Sequence, residues 1–129
     1  GRIRENFLIP GLFLNDADEI SARRDNERRE IVIDVEIDST SDGIGDSESS
    51  TTNDAGDKQI IIIQIGGRTA RQLICRHGPG KFLAAGAPLG MARIAGMTDL
   101  LIPSAWKVVA VTGQTVLAGE TVLVKRRRR

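Results

Sequence analysis

Between Glu30 and Asp38 the chain alternates, with Ile31, Ile33, Val35 and Ile37 interleaved with Val32, Asp34, Glu36 and Asp38. A period of two with β-branched residues predicts a half-buried strand. Gln59 to Ile65 carries four consecutive isoleucines and is apolar on both faces, as a central strand is, and Gly66-Gly67 ends it. Residues 39–57 separate the two strands and are almost wholly Ser, Thr, Asp, Glu, Gly and Asn, with only Ile44 and Ala55 apolar. That composition buries too little to offset chain entropy, and it predicts a disordered acidic insertion in a hairpin. Segment 1–30 reads as irregular, with a turn at Pro10-Gly11 and a short helical turn where Asp16, Asp18 and Glu19 precede Arg23 and Arg24. Arg68 to Arg76 fits a strand or a short helix equally, and Leu100 to Ile102 predicts a strand ended by Pro103.

An internal repeat follows: Gly80 to Gly86 parallels Gly113 to Gly119, 33 residues later. Each copy has a glycine, a short apolar piece and a second glycine, which suits tight turns between short strands and predicts two similar β-corners. The fold expected is mainly β: a small two-sheet sandwich or barrel-like domain of short antiparallel strands, with little helix. Residues 1–129 form a single domain on this reading, with 39–57 as the insertion and 125–129 as a basic tail.

Composition changes this picture in three ways. The aromatics are only Phe7, Phe13, Phe82 and Trp106, so the core must be built from Ile, Val, Leu and Ala, and stacking platforms for nucleic acid are lacking. The net charge of +1 conceals an asymmetry, with residues 1–57 at −9 and residues 58–129 at +10. The basic half therefore faces the acidic half or an anionic partner such as a phosphate-bearing membrane surface. No apolar run of transmembrane length occurs. The single cysteine, Cys75, cannot form an internal disulfide and reads as a buried structural thiol, and the single histidine, His77, reads as an exposed turn residue beside Gly78-Pro79-Gly80. The chain opens on Gly1 rather than Met, which fits a fragment or a processed product.

Four stretches, in order, resemble phosphatidylserine decarboxylases. Pro10-Gly-Leu-Phe-Leu-Asn15 followed by Asp25-Asn-Glu-Arg28 is similar to the family's PGKFLNA segment and ENER motif. Ile63 to Arg71, running on to Ile74-Cys75, is similar to VQIAGxxARRIVC. Gly86 to Arg93, continuing through Asp99 to Pro103, is similar to GERxGxIRFGSRVDxYLP, and Gly113 to Leu123 is similar to the closing GQxVxAGETVL.

The resemblance implies a self-processing, pyruvoyl-dependent carboxy-lyase of phospholipid biosynthesis that converts phosphatidylserine to phosphatidylethanolamine. In that family a serine at a Gly-Ser bond becomes the pyruvoyl group, the electron sink that ordinary side chains cannot supply. Here the sequence departs. Aligning on Arg93 and Asp99 places Gly96 at the serine position, and aligning on the family's glycine places Met97 there. Neither has a hydroxyl. Thr98, one residue on, would yield a ketobutyryl group instead, and Ser104 lies past the strand in a loop. The family's upstream Asp and His of self-processing have no counterpart, and Arg28 and Arg71 match motif positions without an assignable catalytic role, a surface salt bridge being the expected use. No catalytic, cofactor or metal residue is therefore assigned, and the pyruvoyl group is not expected to form.

The expectation is a decarboxylase-like chain, truncated or catalytically degenerate, lying peripherally on the cytoplasmic face of a membrane. The alternative is a non-enzymatic lipid- or partner-binding module, with a partner chain or a homo-oligomer covering exposed strand edges. A lipoyl- or biotinyl-type carrier domain ranks below both, since Lys58, the residue at issue, lacks a hairpin tip with symmetric apolar flanks.

Overall fold

A computed structural model of the chain describes residues 1–14, 19–35, 58–69, 72–93 and 96–126. The elements in order are β1 (Arg2–Ile9), α1 (Glu19–Asp25), β2 (Arg28–Asp34), β3 (Gln59–Ile65), β4 (Leu73–Ile74), β5 (Met91–Ala92), β6 (Met97–Leu101), β7 (Lys107–Val108) and β8 (Val124–Lys125). The protein is mainly β, as the alternation and the glycine spacing predict. Its strands form one four-stranded antiparallel sheet in the order β1-β2-β3-β6 and two ribbons, β4-β5 and β7-β8, with no closed barrel among the described residues.

The isoleucine-rich β3 is central, between β2 and β6, which is why it can be apolar on both faces. Cross-strand partners share a face, and the pairs Ile3–Ile33, Ile33–Ile60 and Ile31–Ile62 build the buried side. Ile3, Ile31 and Ile33 form its core, with Ile60, Ile62, Cys75, Leu83 and Leu89 packed against them. The predicted insertion at 39–57 lies outside the described residues.

Segment 1–30 is more ordered than its sequence suggests. β1 escapes a period-two reading because its pairing with β2 shifts between Ile3 and Glu5, so the alternation changes phase within the strand. The acid-to-base gradient does mark a helix, α1, with Glu19 in its first turn and Arg23 and Arg24 in its last. Of Arg68–Arg76 only Leu73–Ile74 pairs as a strand. β6 covers the predicted Leu100 and Leu101 and begins earlier, at Met97.

The repeat is structural. Gly80, Gly86, Gly113 and Gly119 all have positive φ, between 78° and 84°. Each is the third residue of a turn closed from fourth residue to first, by Lys81 N→Gly78 O, Ala87 N→Ala84 O, Gln114 N→Val111 O and Glu120 N→Leu117 O. This is the type II pattern, which requires a left-handed third residue. β5 and β8 also lie 33 residues apart, and each pairs back onto the strand that opens its copy. The unit strand–turn–turn–strand therefore occurs twice.

Candidate site at the β2-β3-β6 end of the sheet

The motif residues converge on one end of the large sheet. The start of β2 lies beside the end of β3, and the end of β3 beside the start of β6. This places Arg28 opposite Ile65, and Ile65 opposite Met97, in one row. The next row is Leu8, Arg29, Gln64 and Thr98. Adjacent strands are about 4.8 Å apart, so Arg28 and Met97 lie about 10 Å apart across β3.

Asn26 locks this end. Its side chain is fully buried; Oδ1 accepts from Leu14 N at 2.7 Å, and Nδ2 donates to Gly66 O at 2.7 Å and Leu14 O at 3.2 Å. The backbone adds Leu12 N→Asp25 O, Glu27 N→Leu12 O and Gly66 N→Glu27 O. The segments Pro10–Leu14, Asp25–Arg28 and Gly66 are thus one unit. Gly11 is required there, because a Cβ would sit 2.5 Å from both the Asn26 carbonyl carbon and Asp25 O.

Gly96 is exposed just before β6, and Met97, the first residue of that strand, is half-buried. Thr98 is exposed within the β6 ladder, opposite Gln64. Asp99 accepts from the Arg23 Nε with both carboxylate oxygens, at 3.2 and 3.0 Å, and ties β6 to α1. Arg23 also reaches Glu19 at 3.0 Å, and these two carboxylates hold its guanidinium even more firmly protonated than usual. The neighbouring Arg24 bonds Asp25 and holds that carboxyl below the ordinary carboxylate range. Arg93 donates to Gln72 Oε1 at 3.4 Å. Arg28 makes the expected salt bridge, to Glu30 at 3.2 Å, and Arg71 lies outside the described residues. Ser104 is an exposed turn residue beyond buried Pro103.

Cys75 and His77 do not form a nucleophile–base pair. The Cys75 thiol points to the His77 carbonyl oxygen at 3.8 Å, not to the ring, and the cysteine is half-buried against the core. His77 is half-buried rather than exposed: its Nε2 meets Pro88 O at 2.9 Å, and its carbonyl accepts from Asn6 Nδ2 at 2.7 Å. A carbonyl only accepts, so Nε2 carries the proton. No group of three potential metal ligands occurs among the described residues.

Residue-level reading of the sequence passed over Arg29, Gln64, Asn6 and Asn26. The signals were a second arginine at the mouth of β2 and a lone amide in an isoleucine run. Arg29 is half-buried and donates to Leu73 O at 3.2 Å and to Asn6 Oδ1 at 2.8 Å. Gln64 is 8% exposed, and its enclosed Oε1 accepts no hydrogen bond among the described residues.

Such a site, polar residues gathered where three strands of a mainly β domain meet, defines a binding or catalytic pocket of the strand-end kind. A family model for phosphatidylserine decarboxylase matches residues 1–124, and the chain belongs to that family. A phosphatidylserine decarboxylase proenzyme of Ruegeria pomeroyi is 33% identical over 123 residues, covering 95% of this chain and 47% of the relative. The chain thus spans about half the length of that relative. No solved structure matches significantly. Among the described residues no helix is long and apolar enough to cross a membrane.

Proposed function

We propose that this chain is a phosphatidylserine decarboxylase-like protein of phosphatidylethanolamine biosynthesis that does not itself form the catalytic group. On this reading it binds anionic phospholipid peripherally at the cytoplasmic face of a membrane. One observation carries the proposal. The residues aligned with the pyruvoyl-forming serine are Gly96 and Met97, at the mouth of β6, and neither offers a hydroxyl. The nearest hydroxyl, on Thr98, belongs to a strand in regular pairing with β3. His77 has its protonated nitrogen committed to Pro88 O and is not aimed at β6. The residues present therefore do not fit a pyruvoyl group, and no chemical step is assigned to one.

The binding side of the proposal is supported by the +10 charge of residues 58–129 and by the unpaired polar row at the strand ends. Exposed aliphatics on the β7-β8 unit, including Val111, Leu117 and Val108, fit a covering partner chain or a homo-oligomer.

Intact mass before and after borohydride treatment with phosphatidylserine tests the chemistry. The expected result is one uncleaved chain with no reducible carbonyl and no trapped substrate. Cleavage near Gly96 with a reducible carbonyl on one product would restore the decarboxylase activity and refute the degenerate reading.

A further inference from the structure

The row Leu8, Arg29, Gln64, Thr98 runs across the buried face of the sheet, and Cβ atoms of neighbours in such a row are about 5 Å apart. Two adjacent members are incompletely satisfied, in opposite senses. Arg29 is a half-buried cation whose guanidinium donates only to two uncharged acceptors, Leu73 O and the Asn6 amide oxygen. Among the described residues no carboxylate pairs with it, whereas its neighbour Arg28 has Glu30. A partly desolvated guanidinium in fixed geometry favours a planar anion that accepts two of its N–H groups. Gln64 next to it has the reverse deficit, an enclosed acceptor with no donor. Asn6 fixes the arginine and is itself fixed by His77 O, so the guanidinium is held in place. The row opens to solvent at the exposed Thr98, two residues from Gly96.

We propose that Arg29 and Gln64 form a subsite for a zwitterionic α-amino-acid group, the carboxylate on the Arg29 guanidinium and the ammonium donating to Gln64 Oε1. An anion alone would leave the Gln64 acceptor unmet, and a simple amine would leave Arg29 without a counter-charge. The α-amino acid carries both, one carbon apart. The subsite rests on the phospholipid reading only for the carrier of that group, which is a lipid headgroup or a free amino acid, and it requires no chemistry at Gly96.

The test is titration of the full chain, followed by NMR and calorimetry, with L-serine, O-phospho-L-serine, inorganic phosphate, and dihexanoyl forms of phosphatidylserine, N-acetyl-phosphatidylserine and phosphatidylethanolamine. Phosphatidylethanolamine, which lacks the carboxylate, is expected to bind about ten-fold more weakly than phosphatidylserine, as the loss of one charge-assisted contact implies. Arg29→Gln removes that difference, and Arg29→Lys restores part of it. Gln64→Leu removes the preference for phosphatidylserine over its N-acetyl form. Binding of L-serine at comparable strength assigns the site to free amino acids, and binding of the lipid alone assigns it to a headgroup; both support the subsite. Equal affinity for the serine and ethanolamine lipids overturns it, as does inorganic phosphate competing as well as phosphoserine, or a folded Arg29→Gln chain with unchanged affinities. If Arg29→Gln does not fold, Gln64→Leu with the N-acetyl comparison decides. These readouts are independent of cleavage, so loss of the subsite and loss of the degenerate-enzyme reading are separable.

Discussion

Asn26 carries more of this fold than any charged residue. The ion pairs of the chain are at least a quarter exposed, and such pairs contribute about 0–1 kcal/mol. Asn26 instead makes three hydrogen bonds in full burial, joining the Leu14 backbone to Gly66. Asn26→Ala would leave buried backbone groups unpaired and is expected to cost about 2–4 kcal/mol, read as a lower urea midpoint. Only part of this was legible. The Asp25-Asn-Glu-Arg28 motif flagged the position, but the roles of an amide that braces and an arginine that binds come from contacts 40 and 44 residues away. No local pattern encodes those.

At the scale of elements, glycine spacing was the most readable signal. It located all four left-handed turns, because the backbone itself demands glycine there. The strands of the large sheet divided by their environment. β2 and β3 declared themselves through alternation and an apolar run, whereas β1 hid behind its register shift and two-residue strands have no periodicity to detect. At Gly86 and Gly119 a Cβ would meet nothing within 4 Å, so Gly86→Ala and Gly119→Ala isolate the backbone term. Each is expected to destabilise by about 1 kcal/mol, with the denaturant midpoint falling and the slope unchanged. Unequal costs would show that the two copies of the repeat are not equivalent in energy.

For the whole molecule, order is concentrated in the four-stranded sheet, and the C-terminal unit from Lys107 to Lys125 projects from it with its aliphatics largely uncovered. The sequence showed these aliphatics as strand material but could not show that they lack a surface to pack against. The central pairing has a further consequence. β2 and β3 are joined by 24 residues, from Val35 to Lys58, so no tight turn dictates which residue of one strand meets which of the other. Four successive isoleucines look alike from either face, and a strand of that kind slides easily among mismatched alignments. The amide of Gln64 against Arg29 acts as an index mark: a two-residue slip would set Gln64 opposite Ile31, and a wrong alignment then costs a buried polar group. Gln64→Ile should therefore give a chain that collapses as fast but sorts its alignments slowly, with an added refolding phase and more aggregate in stopped-flow and light-scattering experiments. The residue that leaves the folded sheet with an unmet acceptor is the one that keeps it from folding one step out of place.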